Sequence, residues 1–284
     1  MKTIELVNNQ LEHAGISTSL QHKWVALINE LAAYPSAVVA FSGGVDSSFL
    51  AYATSQVLGD QMVAVTVVSS VEPPETLKAA ADFVSKHGIP HHAIHYDPLQ
   101  NPDFRSNPTT RCYHCKTTIL NTLWGYARQH AYQVVFEGQN ADDRNDYRPG
   151  SKAIEETGTI SPLASNGLTK TEIRWLAKAL DLSIWDQPSS PCLASRIPYN
   201  TIITSEALSQ IAQAEHFLLQ QGFMVVRVRH HNELARIEVS PDQIPLLLEL
   251  REDIVSHFKK IGFLYIALDL QGYRLGSMNE GLPL

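Results

Sequence analysis

Val38-Val39-Ala40-Phe41-Ser42-Gly43-Gly44-Val45-Asp46-Ser47-Ser48-Phe49-Leu50 joins an apolar run to a helical one through a pair of glycines. The unbroken apolar residues Val38 to Phe41 predict a parallel strand buried on both faces, and Gly43-Gly44 lets the backbone turn at once. The helix that follows, read from Ser48 to Leu58, starts directly behind the carboxyl end of the strand. Its unpaired N–H groups, the hydroxyls of Ser42, Ser47 and Ser48, and the positive end of its dipole face one small volume suited to a phosphate. For the glycine pair alone, an ordinary strand–turn–helix joint is the competing reading.

Strand and helix continue to alternate along the chain. Met62 to Val68 reads as a second buried strand, Glu75 to His87 as a helix closed by Gly88, and His91 to Tyr96 as a third strand. A loop from Asp97 to Arg111 follows, then a helix from Thr117 to His130 and a strand from Tyr132 to Glu137. Upstream, residues 5 to 33 show helical spacing in Leu6, Leu11, Leu20, Trp24, Leu27 and Leu31. Downstream, Thr169 and Glu172 predict a capping box at the start of a helix. This pattern predicts an α/β fold with a doubly wound, mostly parallel sheet.

The texture changes near Asn200. A helix from Ser205 to Gln221 precedes strands at Val225 to His231 and Leu234 to Val239, a helix from Asp242 to Lys260, and a strand from Tyr265 to Leu270. Strict alternation in these strands predicts one buried and one exposed face. Two domains are therefore expected, residues 1–199 and a smaller α+β domain at 200–284.

The chain has 284 residues, 44% of them hydrophobic, enough for two cores. Its net charge of −7, with no strongly basic tract, weighs against a constitutive nucleic-acid binder. It leaves room for a small phosphorylated ligand held by one or two arginines. Met1-Lys2-Thr3-Ile4-Glu5 lacks the apolar core of a signal peptide, and no apolar run reaches membrane-spanning length. The three cysteines, an odd number, argue against a disulfide scaffold and for a cytoplasmic protein.

Those cysteines fall in two places, Arg111-Cys112-Tyr113-His114-Cys115-Lys116 and Pro191-Cys192-Leu193-Ala194-Ser195-Arg196. A single Cys-x-x-Cys fits a redox pair, half a zinc site or part of an iron–sulfur site, and free cysteines are often merely small buried hydrophobes. Three thiolates can hold a [4Fe-4S] cluster on three irons and leave the fourth iron open. The segment Gly138 to Gly150 is rich in carboxylates and amides and leaves the carboxyl end of a strand. Asp142 is the candidate there for a Mg²⁺ ligand, against the plain reading of a solvated acidic turn. Arg227 and Arg229 alternate onto one strand face, where two guanidiniums can converge on one phosphate. A pair of surface arginines is the alternative, and His230 and His231 read as surface or packing residues.

Ser-Gly-Gly-Val-Asp-Ser resembles the pyrophosphate-binding loop (PP-loop) of ATP-dependent enzymes such as GMP and NAD synthetases, asparagine synthetase and the tRNA thiolases. It lacks the Gly-Lys-Ser/Thr ending of a Walker loop. The resemblance implies adenylation with release of pyrophosphate, with ATP held by Ser42, Gly43, Gly44, Asp46, Ser47 and Ser48. It also implies that Lys170 reaches toward the nucleotide; a helix-start surface lysine is the alternative.

Over nearly the whole chain the sequence resembles the LarE family of ATP-dependent sulfur transferases. These make a pyridinium dithio-mononucleotide that later takes up nickel for lactate racemase. The match rests on residues 41–48, on Asn145-Asp146-Tyr147-Arg148-Pro149-Gly150, on Cys192-Leu193-Ala194-Ser195-Arg196-Ile197-Pro198-Tyr199, on residues 226–229 and 235–238, and on Leu268-Asp269-Leu270-Gln271-Gly272-Tyr273-Arg274. It implies adenylation of the carboxylates of a pyridinium-3,5-biscarboxylic acid mononucleotide, then sulfur insertion. Cys112, Cys115 and Cys192 match the members that carry a [4Fe-4S] cluster with a transferable sulfide. The other members sacrifice the sulfur of one cysteine, a role that would fall to Cys192. Further implied are a phosphate site at Arg227 and Arg229, neighbouring roles for Ser195, Arg196, Glu215 and Glu238, and a homo-oligomer such as a hexamer. A PP-loop tRNA thiolase is the competing enzyme, and a zinc-stabilised or non-catalytic nucleotide-binding module the competing non-enzyme.

Overall fold

The computed structural model describes residues 11, 14–145, 149–188, 191–274 and 276–279. Two compact units divide the chain. One comprises Met1–Ser69, Pro74–Tyr96 and Cys112–Ser190, the other Ser70–Pro73, Asp97–Arg111 and Pro191–Leu284.

The first unit contains α1 (Thr18–Ala32), β1 (Ala37–Ala40), α2 (Val45–Leu58), β2 (Met62–Val68), α3 (Pro74–His87), β3 (His91–His95), most of α4 (Arg111–Gln129), β4 (Val134–Phe136), α5 (Pro149–Thr157) and α6 (Lys170–Ala179). Its strands form one parallel sheet in the order β3-β2-β1-β4. β1 therefore has neighbours on both sides, and the direction of winding reverses between β1 and β4. That reversal opens a crevice at the carboxyl ends of the two strands, where α/β sheets bind ligands.

Alternate residues of the strands feed two cores. Ala37, Val39, Ala64 and Phe136 pack with Trp24 and Leu27 of α1, Phe49 and Leu50 of α2, Phe83 of α3 and Leu176 of α6. Val38, Val63, Val65 and Val135 face the other way, against Leu120 and Leu123 of α4 and Ile154 of α5. Burial on both faces explains the unbroken apolar runs of β1 and β2.

The second unit holds α7 (Ser205–Gln220), β5 (Val226–His231), β6 (Leu234–Val239), α8 (Ile244–Glu249), α9 (Arg251–Lys260) and β7 (Tyr265–Leu268). β5 and β6 form an antiparallel hairpin turned at Asn232, whose φ of 57° suits asparagine, and β7 runs parallel to β6. Val226, Val228, Ala235, Ile237 and Val239 bury one sheet face against Leu218 of α7 and Ile254 and Phe258 of α9. The opposite register positions carry Arg227, Arg229, Arg236 and Glu238.

Several expectations shift. The structure packs residues 191–199 with the second unit rather than ending the first unit at Tyr199. Asn107, buried with a φ of 57°, donates from Nδ2 to the carbonyls of Ile197 (3.3 Å) and Pro198 (2.8 Å), and its own carbonyl accepts from the Asn200 N–H. α2 begins at Val45, three residues earlier than read, because extended Gly44 is its N-cap. α4 begins at Arg111 rather than Thr117, which puts the Cys-x-x-Cys inside a helix. The loop before it contains a 3₁₀ turn at Pro98–Gln100 and a helical turn at Pro102–Arg105, stabilised by Asp97 and Asn101 as side-chain caps. The single helix read at 242–260 is broken at Leu250, and α5 went unread. Upstream, Gly15 turns the chain at φ 69° before α1, so the helical pattern read from 5 to 33 is interrupted; residues 5 to 10 lie outside the described residues. No described helix is long and apolar enough to cross a membrane.

Candidate functional site

The turn after β1 packs tightly against the helix that follows β2. Gly43 has a φ of 77°, and a Cβ there would stand 2.6 Å from Cβ of Ala80. Gly44 caps α2 without any side-chain bond to the first-turn N–H groups, so they are left for something else. The Ser42 and Ser47 hydroxyls lie 3.1 Å apart, and Ser47 Oγ also accepts from the Ser42 N–H (3.3 Å) and donates to the Gly44 carbonyl (3.1 Å). Ser48 Oγ is buried with no partner. The loop leaving β4 presses on this turn from the side: a Cβ on Gly138 would lie 2.9 Å from the Ser47 nitrogen.

Asp46, in the first turn of α2, is the charged centre of the site. Its Oδ2 accepts from Lys170 Nζ at 2.6 Å and from Asn140 Nδ2 at 3.4 Å, while its Oδ1 is buried with no partner. Burial pushes the Asp46 carboxyl above the ordinary aspartate value, against the opposing pull of Lys170. An unsatisfied carboxylate oxygen at a helix N-terminus fits a Mg²⁺–polyphosphate pair, for which the amides would offer donors to phosphate oxygens and Oδ1 a ligand to the cation. Lys170 stands at the start of α6, where the Thr169–Glu172 capping box is formed as read. Asp142 accepts from the Lys170 backbone N–H at 2.8 Å, so one of its oxygens is engaged in holding that helix start.

Glu137 is a residue that the sequence reading passed over. It sits 5% exposed at the end of β4 and accepts from Lys116 Nζ (2.8 Å), the Gln139 N–H (3.0 Å) and the Ser161 hydroxyl. Its signal was a carboxylate directly after the apolar Val134–Phe136 and directly before Gly138. Lys116 follows Cys115, so the Cys-x-x-Cys helix is tied to the carboxyl edge of the sheet through this ion pair.

Cys112 and Cys115 lie three residues apart on α4, hence on one helix face, the first exposed and the second half-buried. Neither they nor Cys192 are in a disulfide. Among the described residues no group of three or more His, Cys, Asp or Glu side chains is gathered in the manner of a metal site. The donor chemistry of three thiols still suits an iron–sulfur cluster.

In the second unit, half-buried Cys192 opens the 3₁₀ turn Leu193–Arg196. Arg196, 1% exposed, makes a two-pronged ion pair with Glu215 (2.9 and 2.8 Å). Arg229 pairs with Glu238 at 2.6 Å and donates to the Ser195 carbonyl at 3.2 Å. Glu238 is fully buried and also accepts from Arg236 and Ser277. Arg227 lies over the Tyr273 ring (5.1 Å to its centre) and donates to the Val226 carbonyl. Burial, then the neighbouring Arg196 charge, lowers the pKa of Arg227. A cation so placed favours an anion beside it. The structure thus gathers Ser195, Arg196, Glu215, Arg227, Arg229 and Glu238 in one cluster, with Arg229 already matched to a carboxylate.

The profile of the NAD synthase family matches residues 21–114. A pyridinium-3,5-bisthiocarboxylic acid mononucleotide synthase of Lactiplantibacillus plantarum is 34% identical over 265 residues, 93% of this chain and 96% of that protein. An uncharacterized protein of Synechocystis sp. is 42% identical over 248 residues, 87% of this chain and 92% of its own length. Among solved structures, NMN synthetase from Francisella tularensis shares the fold, with a TM-score of 0.50 and 21% identity over 61% of this chain and 76% of that one.

Proposed function

The chain belongs to the LarE family, that of the Lactiplantibacillus plantarum synthase, and from that membership we propose that it is an ATP-dependent sulfur transferase. Its substrate in this reading is a pyridinium-3,5-biscarboxylic acid mononucleotide. ATP binds at Ser42–Ser48 with its polyphosphate on the open N–H groups of α2, and Asp46 and Asp142 are the carboxylates offered to Mg²⁺. When bound, that cation would offset the charge that develops on the leaving pyrophosphate. Lys170 gives up Asp46 and turns to the phosphates.

A substrate carboxylate attacks the α-phosphorus, the bond to the bridging oxygen breaks, and pyrophosphate leaves into the glycine turn. Hydrosulfide sulfur then attacks the acyl-adenylate; AMP leaves and a thiocarboxylate with one released proton remains. A second round converts the other carboxylate, giving the sulfur ligands of a nickel-pincer cofactor. Arg227 holds the substrate phosphate and Arg229, paired with Glu238, adds its charge beside it, framed by Ser195, Arg196 and Glu215. Cys112, Cys115 and Cys192 would hold a [4Fe-4S] cluster, which when bound supplies a renewable sulfide. The protein works as a homo-oligomer in the cytoplasm.

What supports this reading is the hydrogen-bonded continuity of Cys192, Ser195, Arg196 and Arg229, which ties the turn carrying a thiol to the strand carrying the anion anchor. The test is anaerobic purification and reconstitution, followed by iron and sulfide analysis and assay of substrate-dependent AMP formation. More than one thiocarboxylate per chain, with iron bound, is expected. A single turnover that strips the elements of H₂S from the Cys192 peptide would assign the sulfur to that side chain instead. AMP formation driven by tRNA and not by the pyridinium nucleotide would overturn the substrate.

A further inference from the structure

We infer that Arg196 and Glu215 form a buried strut between the backbone of Cys192 and the strand carrying Arg227 and Arg229, and that neither side chain touches substrate. The inference rests on the functional reading above only for what the thiol and the two arginines do.

Every nitrogen of the Arg196 guanidinium is engaged inside the protein. Nε and Nη2 donate to the two oxygens of Glu215 at 2.9 and 2.8 Å. Nη1 donates to the carbonyls of Pro191 (2.7 Å) and Cys192 (3.2 Å) and to Ser195 Oγ (2.9 Å). The guanidinium is a rigid planar fork, and contacts on all three of its nitrogens, with the two Nη1 hydrogens shared among three acceptors, fix its orientation. Its charge is matched by a carboxylate, and at 1% exposure it offers no face to a ligand.

Glu215 completes the connection. Its Oε1 also accepts from the backbone N–H of Val228 at 2.9 Å, the peptide between Arg227 and Arg229. A path of charge-assisted bonds of 2.8 to 3.2 Å therefore runs from the Cys192 carbonyl through Arg196 and Glu215 to β5. Arg229 adds a second tie by donating to the Ser195 carbonyl at 3.2 Å. Both ends of the path are backbone, so the strut sets the separation of the Cys192 main chain from the Arg227–Arg229 main chain, the two points from which the thiol and the anion anchor project. Of the three arginines, Arg227 is the one whose described bonds, to the Val226 carbonyl and the Tyr273 ring, leave it able to take a phosphate directly. A carbon only about 1 Å out of line with its nucleophile can cost on the order of 10²-fold in rate, which gives such a strut catalytic weight without contact.

Arg196→Lys, Arg196→Gln and Glu215→Gln in the full-length enzyme test the assignment. Three readouts are needed: the Kd for inorganic phosphate, the rate of iodoacetamide alkylation at Cys192 followed by peptide mass spectrometry, and the kinetics of thiocarboxylate formation. A positioning role predicts phosphate Kd and substrate KM within about twofold of wild type, with kcat down by on the order of 10²-fold and Cys192 alkylation changed severalfold. A rise in phosphate Kd or KM with kcat preserved would make Arg196 a substrate ligand and overturn the strut. Unchanged alkylation together with unchanged kcat would overturn it equally.

Removing one partner of a buried ion pair costs about 3–5 kcal/mol, so the single variants can fail to fold. The paired replacement Arg196→Met with Glu215→Leu leaves no buried charge unmatched, and the same readouts apply to it. Should the wild type transfer no sulfur at all, the functional reading falls. Alkylation and phosphate binding then still decide the strut, unchanged alkylation overturning it.

Discussion

Asp46 accepts two hydrogen bonds on one oxygen and none on the other, in a turn whose N-cap, Gly44, supplies no side-chain bond to the helix N–H groups. Replacing it by asparagine removes the offered cation ligand, and substrate-dependent AMP formation should fall by about 10²- to 10³-fold, as when one preorganised electrostatic group is lost from an active site. The same change acts on stability through protonation. The folded carboxyl titrates above the unfolded value of 3.8, mainly because it is desolvated. Below that value both states are protonated and no penalty arises; as pH rises through the raised folded value, the folded state loses stability relative to the unfolded one. The melting temperature of Asp46→Asn minus that of wild type should therefore grow as pH rises toward neutrality, measured without nucleotide. Gly138→Ala tests the contact on the other side of the turn. Its new Cβ would meet the Ser47 backbone at 2.9 and 3.1 Å, so urea titration should show a loss of about 1–3 kcal/mol, with weaker nucleotide binding. The chemistry of the turn was legible because Ser-Gly-Gly-Val-Asp-Ser is a local string. Glu137 was not, because its bonds to Lys116 and Ser161 arise only when distant segments meet.

Helix α6 shows which elements announce themselves. Thr169 and Glu172 cap it reciprocally, and Lys23 from α1 bonds both Glu172 oxygens at 2.7 and 2.8 Å and the Gly167 carbonyl at 2.7 Å. Glu172→Ala should cost about 0.5–2 kcal/mol in chemical denaturation, the range for a lost cap. Burial works to raise the Glu172 pKa, but the Lys23 and Thr169 bonds outweigh it and the net value is lowered. The wild-type advantage over the alanine variant should hold above the ordinary glutamate value of 4.5 and disappear as pH falls through the depressed folded value. Such caps, and the continuous apolar runs of β1 and β2, are written within a few residues and were readable. The start of α4 was not: residues 111–116 mix charge, aromatics and cysteines without apolar periodicity, and the helix there is held by contacts such as Tyr113 to Glu156 at 2.6 Å. The break at Leu250 was hidden for the opposite reason, since the helical spacing of Leu247, Leu250 and Ile254 continues across it.

At the scale of the molecule, the second unit is assembled from three stretches of chain, a division that sequence order conceals because texture changes only near Asn200. A fragment of residues 200–284 would keep β5, β6 and β7 but lose Arg196 and the Ser195 carbonyl, leaving Glu215 unpaired. That fragment should lack a cooperative thermal transition by circular dichroism, whereas the full chain should show one. The sheet of the first unit carries a consequence of another kind. β1 bonds β2 on one edge and β4 on the other, and the β4 register pairs Ala37 with Val134. Ribosomes add about 5–20 residues per second, so the second edge of this central apolar strand waits on the order of 5–20 s for its partner to be synthesised. Through that interval Ala37 to Ala40 present a row of unpaired amides and carbonyls, the template on which nascent chains join one another. Chaperone demand in the cell should therefore peak on nascent chains that end between β1 and β4, well before the residues of the Arg196–Glu215 cluster have been made.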